Sequence, residues 1–413
     1  MASTYTDAEK PAGAPPSTMP TFSEGGSKAW LVVLGCWCTS FASFGIVNSF
    51  GIYETYYLST FLEGYSPSTV AWIGSIQTFA QFSATLISGP ITDRYGALTI
   101  IYPASVLLVV AMMLTSLCSE FYQFLLCQGI LLGIASGFLF APALTVVGHY
   151  FFKRRAMAMS FASTGSPIGG IIYPIILSNI LPRGFGWAQR ACGFLSLALL
   201  LVAAITIRPT GLRRKGAFVL LEAFKKPAYL QVLALFLLVL GLWTPYFYLA
   251  EYGIANGMNS TLANYLFAFL NAGSFIGRIL AGAFAGYAGQ FNVITAAAYA
   301  IGIILLCWLA TFSSAGIIVL SIFIGAATGI IIALMMSTIA HTADVPSKIG
   351  TYIGQSTFIV GFAGLAGTPI AGALIAREGG YTHAIIFSGV VSLAGAVVLT
   401  GARYAFVKDK LVA

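Results

Sequence analysis

The segment Asn271–Gly282, NAGSFIGRILAG, lies inside an apolar run that reaches from about Leu262 to Tyr287. Arg278 is the only charged residue in this run. It precedes the turn at Gly289 by eleven residues, which is roughly 16 Å of α-helix, about half the thickness of the hydrocarbon core of a bilayer. The sequence therefore predicts a membrane-spanning helix with a positive charge near its middle.

A charged side chain at that depth costs several kcal/mol unless it faces water or a partner. All twelve acidic residues fall in tails, loops or helix ends, so the sequence offers no fixed counter-charge near the midplane. A guanidinium presents a planar fork that suits a carboxylate, and we therefore expect Arg278 to bind a mobile organic anion. The alternative is a structural arginine bonded to the carbonyls of a broken helix.

The composition is that of a polytopic membrane protein. Across 413 residues the chain is 58% hydrophobic and 8% charged, with a mean hydropathy of +0.90, and soluble domains do not approach these values. The net charge of +8 would fit nucleic acid, but membrane proteins concentrate basic residues in cytoplasmic loops. We therefore expect no nucleic-acid partner.

Active sites and metal sites need chemical groups that the apolar runs do not bring together. No pair of His or carboxylate residues is placed to share a site inside the membrane, so we expect no enzyme, metal or cofactor. The six cysteines lie in apolar runs at no spacing typical of metal ligands, which predicts buried free thiols.

Runs long enough to span a bilayer form two sets of six. The first set is Ala29–Gly51, Val70–Thr92, Leu98–Leu117, Phe121–Val147, Ala156–Ile180 and Ala191–Ile207, and the second is Tyr229–Leu249, Leu262–Tyr287, Phe291–Phe312, Gly316–Ala340, Gly350–Ile375 and Ala384–Ala405. The predicted organisation is a disordered tail (1–28), a six-helix bundle (29–207), a basic linker (208–228), a second bundle (229–405) and a short tail (406–413).

Basic residues predict the orientation. With the amino terminus inside, sixteen Lys and Arg fall on the cytoplasmic side, and only Arg183, Arg190 and Arg377 fall outside. This asymmetry places both termini in the cytoplasm. The linker would present a basic face to anionic lipid headgroups.

The two halves repeat each other. Residues 89–96, GPITDRYG, match residues 282–289, GAFAGYAG. The pair Gly133 and Gly137 answers Gly325 and Gly329, and GSPIGG at 165–170 answers GTPIAG at 367–372. Three matches in the same order predict an all-α membrane protein of two pseudo-symmetric six-helix bundles.

The turn at 89–96 carries charge between two glycines. Asp93 could cap a neighbouring helix start and lock one conformation until the halves move, so we expect Asp93, Arg94, Gly89 and Gly96 to take part in conformational gating. A solvated turn with incidental charges is the alternative.

The pattern Gly-x-x-x-Asp-Arg-x-Gly at 89–96 resembles the signature loop of the major facilitator superfamily, although the usual basic run after its last glycine is absent here. Within that superfamily, YFFKRRAMAMSFASTGS at 150–166 resembles the helix 5 motif of the monocarboxylate porter family. The segment GSKAW at 26–30 is similar to a degraded form of that family's Gly-Gly-Trp-Gly-Trp motif. The likeness is to the fungal branch, and it covers roughly residues 29–405.

The resemblance implies a plasma-membrane transporter, here expected to be a monomer, that moves a monocarboxylate or acidic metabolite by alternating access. Arg278 falls where that family carries its substrate arginine. Mammalian members add an Asp one turn earlier and a Lys in helix 1, where this chain has Ser274 and Asn48. A co-transported proton would therefore travel on the substrate or use Glu54 or Glu251.

Further candidates for substrate binding are polar side chains inside spans that the resembled fold directs to its central cavity. They are Asn48, Gln77, Asn271 and Gln355, together with Tyr248, while Gln81, Gln128 and Tyr246 rank below them. A buried amide is equally well satisfied by a neighbouring helix. Asn259 begins a glycosylation triplet, but it lies too near helix 8 to favour modification.

Two other functions remain open at this point. Fungal members of the resembled family serve either nutrient uptake or export of secondary metabolites, so efflux of such a metabolite, including a neutral one, is the main alternative. A membrane sensor that kept the fold and lost transport is a further one.

Overall fold

The structure, a computed structural model, describes residues 24–208 and 218–406. Its helices form twelve spans: α1 (Ser27–Thr60), α2 (Pro67–Tyr95), α3 (Leu98–Thr115), α4 (Phe121–Tyr150), α5 (Arg155–Arg183), α6 (Phe185–Thr206), α7 (Pro227–Ala255), α8 (Ser260–Ala288), α9 (Gln290–Ala310), α10 (Ser314–Thr342), α11 (Pro346–Arg377) and α12 (Thr382–Phe406). Eleven are long and apolar enough to cross a membrane, and the more polar α2 also has 29 residues. The six-plus-six prediction is confirmed.

Parts of three predicted segments lie outside the described residues. They are the tail up to residue 23, the linker at 209–217 and the carboxyl-terminal tail from residue 407. The described part of the linker includes a short 3-10 turn, Leu221–Lys225, which leads into α7.

Two span boundaries differ clearly from the hydropathy pattern. The first span was predicted to end at Gly51 but continues to Thr60, after an interruption at Asn48 and Ser49 between two helical segments. The sixth begins at Phe185 rather than Ala191, because two polar residues that suggested a loop are bonded inside the bundle. Gln189 accepts a hydrogen bond of 2.5 Å from a tyrosine hydroxyl of α1, and Arg190 donates one of 3.1 Å to Ser116, the residue after α3.

Equivalent helices pack in the same way in the two halves, α1–α6 and α7–α12. A Cβ on Gly137 of α4 would lie 2.0 Å from the Gln81 carbonyl oxygen of α2, and one on Gly329 of α10 would lie 2.3 Å from the Ser274 carbonyl oxygen of α8. Such backbone contact is possible only because these positions have no side chain. The two contacts place Gln81 in the first half where Ser274 lies in the second.

The other predicted glycine match has the same explanation. Gly165 of α5 lies against the Trp37 carbonyl of α1, and Gly367 of α11 lies against the Leu240 carbonyl of α7. Added Cβ atoms would meet those oxygens at 2.2 and 2.9 Å respectively. The internal repeat therefore corresponds to repeated helix packing, and the fold is two pseudo-symmetric bundles.

The halves meet chiefly through two helix pairs, α2 with α11 and α5 with α8. In the first pair, Gly89 lies so close to Gly350 that a Cβ on Gly89 would be 2.1 Å from the Gly350 carbonyl oxygen. In the second pair, a Cβ on Gly170 would be 2.9 Å from the Asn271 side-chain oxygen. These contacts enclose a cavity between the halves.

Candidate functional site: a central cavity and a closed basic end

A cavity of about 90 Å³ lies between the two halves. Its walls come from α1, α2, α4 and α5 of the first half and from α7, α8 and α10 of the second. Aromatic rings and methionines form much of its surface, including Phe44, Phe82, Phe140, Trp243, Tyr246, Met159, Met335 and Met336. Small-molecule sites usually measure about 300–1,000 Å³, so this cavity must widen to hold a drug-sized compound.

Arg278 lines this cavity and is buried, with 3% of its surface exposed. Its Nη1 donates to the carbonyl of Ser163, at the break in α5 around Thr164. In a regular helix that carbonyl would accept the N–H of residue 167, but Pro167 has no N–H to donate. The arginine therefore satisfies a carbonyl that a proline has freed.

One contact does not use the whole guanidinium. Among residues 24–208 and 218–406, Nε of Arg278 has no hydrogen-bond partner, and its side chain forms no ion pair. Arg278 therefore makes the structural bond that the alternative prediction expected. Its Nε–H is still available to donate to an anion.

Two of the predicted amides line the cavity and are already bonded. Asn48 Nδ2 donates to Ser166 Oγ at 3.3 Å, and Asn271 Nδ2 donates to the Phe267 carbonyl at 3.0 Å. Their positions place amide groups on opposite halves of the cavity, on α1 and α8. Ser274 also lines it, one helical turn before Arg278.

Three predicted residues do not line the cavity. Gln355 bonds the backbone N–H of Leu220 at 3.1 Å and the Tyr229 hydroxyl at 2.9 Å, so its amide fastens the linker to α11. The Tyr248 hydroxyl donates to the Thr368 carbonyl at 3.3 Å, within the second half. Gln77 is fully buried beside α4 and lies outside the lining.

The cavity includes residues that hydropathy could not single out. Phe44 packs edge-on against Phe140 with ring centroids 4.5 Å apart, and Phe82 lies 6.1 Å from Phe44. Trp243 lines the opposite wall. Apolar rings in a span look the same in sequence whether they face lipid, core or cavity, so no local signal marked them.

The predicted gating turn lies at the end of the bundle that carries Arg94, Lys153, Arg154 and Lys348, which we call the basic end. Asp93 accepts hydrogen bonds from the backbone N–H of Gly350 at 3.0 Å and of Thr351 at 2.7 Å, and from the Thr351 hydroxyl at 2.7 Å. These donors lie in the first turn of the helix Ile349–Glu378. A carboxylate there complements the partial positive charge of a helix start.

The neighbours of Asp93 shape this contact. Gly89 allows α2 to touch α11, and Gly96 ends α2 with φ of 96°, a conformation that favours glycine. The Arg94 guanidinium lies 5.2 Å from the centre of the Phe218 ring, which brings the linker against this turn.

Arg155 makes a second contact between the halves at the basic end, and its role was not predicted from the sequence. It is 3% exposed and donates to the Phe151 and Gly148 carbonyls of its own half at 3.1 and 3.2 Å. It also donates to the Ala340 carbonyl of α10 at 3.4 Å. A cation here complements the carbonyl ends of α4 and α10, which could have been suspected from the bases that follow YFF.

Glu24 fastens the segment before α1 to the α4–α5 loop. Its carboxylate accepts the backbone N–H groups of Phe152 at 2.9 Å, Lys153 at 2.7 Å and Arg154 at 3.2 Å. Partial burial alone would raise the pKa of this carboxyl, but these bonds and the charge of Lys153 bring the pKa below its ordinary value.

Remaining candidates lie toward the other end of the bundle. Glu54 of α1 and Glu251 of α7 come within electrostatic range of each other, one from each half. Asn259 caps α8, because its side-chain oxygen accepts a hydrogen bond from the Thr261 N–H at 2.8 Å. This capping role accounts for an exposed asparagine at that position without glycosylation. Of the six cysteines predicted to be buried, Cys127 is only half-buried and Cys307 is exposed. Cys307 lies on the outward face of α9, one turn after the exposed Ile303.

The profile of the Major Facilitator Superfamily matches residues 29–368. The chain belongs to this superfamily. Its members are transporters, so the protein is a multi-pass membrane transporter, and the superfamily prediction is confirmed.

Among its relatives are named fungal efflux proteins. The aspyridones efflux protein apdF of Emericella nidulans is 44% identical over 385 residues, which is 92% of this chain and 79% of the relative. The agnestins efflux protein of Paecilomyces divaricatus is 37% identical over 94% of this chain and 89% of its own. These names favour the alternative prediction, secondary-metabolite efflux, over monocarboxylate transport.

Solved structures show the same fold at low identity. The human organic anion transporter TETRAN matches with a TM-score of 0.72 at 15% identity, covering 91% of this chain and all of the other. The fucose:proton symporter FucP of E. coli matches with a TM-score of 0.66 at 17% identity, covering 90% and 98%. Both likenesses concern the fold of the superfamily.

Proposed function

We propose that this transporter exports a small, largely apolar organic anion of the fungal secondary-metabolite class. The observation that carries the proposal is a cavity between the two halves in which Arg278 retains donor capacity among aromatic and methionine side chains. A small monocarboxylate would leave those apolar walls in contact with water. A larger metabolite with one acidic group would cover the walls and neutralise the arginine.

Transport proceeds by alternating access. The two bundles rock about the central cavity, and the substrate shifts the population by binding one arrangement better than the other. The structure has its halves joined at the basic end through Asp93 and Arg155. By the positive-inside rule the basic end faces the cytoplasm, with both termini, and the plasma membrane is the site that export requires.

Export is tested in everted membrane vesicles from yeast cells that produce the protein. The vesicles receive an organic extract of the source organism's culture, and mass spectrometry identifies the compounds that accumulate. Labelled acetate, lactate and pyruvate are offered in parallel, each with and without a proton gradient. The gradient dependence of any accumulation identifies proton coupling.

We expect acidic, largely apolar compounds from the extract to accumulate with the wild-type protein and to fall at least about 100-fold with Arg278→Ala, the loss of a charge-assisted contact of about 3 kcal/mol. Accumulation of lactate or pyruvate without any extract compound would restore the monocarboxylate prediction. Equal accumulation by Arg278→Ala would leave that arginine with only its structural bond to α5.

A further inference from the structure

Gln81 differs from the other amides of the cavity in its hydrogen bonding. It lines the cavity and is 0% exposed, and both its Nε2 and its Oε1 lack a partner in the part of the chain that the structure describes. Asn48 and Asn271, which line the same cavity, each donate to a neighbouring oxygen. Gln81 therefore holds an unused donor and an unused acceptor at the cavity wall.

Leaving a buried polar group unpaired costs about 1–3 kcal/mol, so such groups in native proteins have a reason to persist. An apolar side chain at this position would remove that cost. The Thr78 and Ser163 hydroxyls, which also line the cavity, donate to carbonyls of their own helices at 3.0 and 2.8 Å, so neither donates to Gln81 Oε1.

The position of Gln81 also fits a binding role. The glycine contacts of the two halves make it the counterpart of Ser274, which lines the cavity one turn from Arg278. Gln81 thus approaches the cavity from the first half, while Arg278 approaches it from the second. Trp243, on the second half, adds an indole N–H that likewise has no partner within the described residues.

We propose that Gln81 is a specificity-determining residue that binds a neutral donor–acceptor group of the substrate, such as a secondary or cyclic amide, while Arg278 binds its acidic oxygen. This inference rests on the proposed function and specifies its substrate class. Oε1 of Gln81 accepts the substrate N–H; in a cyclic amide, whose N–H and C=O lie on the same edge, Nε2 also donates to the carbonyl oxygen. The apolar body of the substrate lies between these poles against the aromatic walls.

A matched pair of tritiated probes tests the proposal in direct binding to purified wild-type protein. N-benzoylphenylalanine carries a carboxylate, two rings and a secondary amide. Its N-methyl derivative, a tertiary amide, keeps the carboxylate, both rings and the amide carbonyl and replaces the amide hydrogen with a methyl group. A site built to bond an N–H discriminates strongly against the compound that lacks it, because its own acceptor is then left unpaired.

We expect the wild type to bind N-benzoylphenylalanine at least tenfold more tightly than the N-methyl compound. Gln81→Met, which keeps the shape of the side chain and removes the amide, should reduce this preference to less than about twofold. Gln81→Leu serves as a second variant of the same kind. Both should be as thermostable as the wild type or more so, because each removes an unpaired buried amide.

Gln77→Met is the matched control. Gln77 lies one turn from Gln81 on α2, is equally buried and also lacks partners within the described residues, but it does not line the cavity. This control should keep the tenfold preference. Arg278→Ala should lose both probes.

Three results would overturn the assignment: equal binding of the two probes by the wild type, an unchanged preference in folded Gln81→Met, or no binding of either probe to folded wild type. These results are distinguishable from a failure of the proposed function. That failure appears in the vesicle experiment, as extract compounds that do not accumulate or that accumulate without Arg278.

Discussion

The basic end and the central cavity use their buried polar groups in opposite ways. At the basic end, the Asp93 carboxylate accepts three hydrogen bonds from α11, and the Arg155 guanidinium donates three, one of them to α10. In the cavity, Arg278 Nε and both amide atoms of Gln81 lack partners among the described residues. The first pattern is typical of a closed contact and the second of a site that awaits a ligand.

The charged side chains at the basic end and in the cavity also differ in what stabilises them. Asp93 lies at a helix start and Arg155 at helix ends, so each is stabilised by fixed backbone groups. Arg278 has one carbonyl, freed by Pro167, and no carboxylate in the described chain. Changes at the basic end should therefore alter the conformational equilibrium, whereas changes in the cavity should alter substrate recognition.

After Arg278→Ala, the largest effect is expected from Arg278→Lys in the cavity. Lysine keeps the charge but loses the planar fork, so it cannot bond the Ser163 carbonyl and a substrate oxygen with the same geometry. We expect export of the extract compounds to fall about 30-fold or more, roughly 2 kcal/mol of binding. Export by Arg278→Lys at the wild-type rate would mean that charge alone suffices. The measurement is initial accumulation in everted vesicles at equal protein.

A smaller effect is expected from Asp93→Asn at the basic end, which removes the charge and keeps the shape. Charge-assisted bonds contribute about 1.5–3 kcal/mol, so the closed contact with α11 should lose population by about tenfold or more. Spin labels are attached to Lys153→Cys and Val345→Cys in a Cys307→Ser background, which removes an exposed thiol. Double electron–electron resonance should then show a second, longer distance between the labels.

The control for Asp93→Asn is Thr351→Val, which removes the hydroxyl bond and leaves both backbone bonds to the carboxylate. Its distance distribution should stay closer to that of the wild type. An Asp93→Asn distribution identical to the wild type would show that the contact does not hold the basic end closed.

A third test uses the internal repeat. Gly89→Ala places a Cβ 2.1 Å from the Gly350 carbonyl oxygen, and overpacking of this kind typically costs 1–3 kcal/mol. Gly286→Ala lies in the corresponding turn region of the second half, where a Cβ meets no atom within 4 Å. We expect Gly89→Ala to slow export severalfold and Gly286→Ala to leave it unchanged. Equal rates for the two variants would contradict the assigned packing.

The smallest effect is expected for Glu24→Gln. Because the folded pKa of Glu24 is lowered from its ordinary value of 4.5, its contribution to stability is present above that pH and is lost as pH falls through the lowered pKa. The group is largely exposed, so solvent screening limits the contribution to below about 0.5 kcal/mol. Melting temperatures in detergent should differ slightly at pH 7 and converge as the pH falls through the lowered pKa. A difference that grows in acid would contradict this assignment.

Much of the fold followed from local pattern. Span positions agree because a helix that crosses a bilayer needs about 20 apolar residues, whatever its neighbours are. The deviations arise where polar residues are bonded inside the bundle, as Gln189 and Arg190 are at the start of α6. The glycine repeat could also be predicted from the sequence, because close helix contact requires small residues at a fixed spacing.

The candidate site could be predicted only in part from local sequence pattern. Arg278 stood out because a lone charge in an apolar run has a high energetic cost. Among the amides, sequence favoured Gln355, yet its side chain holds the linker against α11. Whether a side-chain amide has a hydrogen-bond partner depends on atoms far away in the chain.

By itself, the sequence determined the twelve spans, their two-fold repetition and the charge of Arg278 deep inside an apolar run, since each follows from the hydropathy and size of neighbouring residues. Only the tertiary structure decided which polar groups are satisfied. Gln77 and Gln81 stand one turn apart in the same apolar helix and are equivalent in pattern, but only Gln81 lines the cavity. Both lie on the face of α2 that meets α4, so the difference comes from where along α2 the two halves enclose the cavity, which no local stretch of residues encodes.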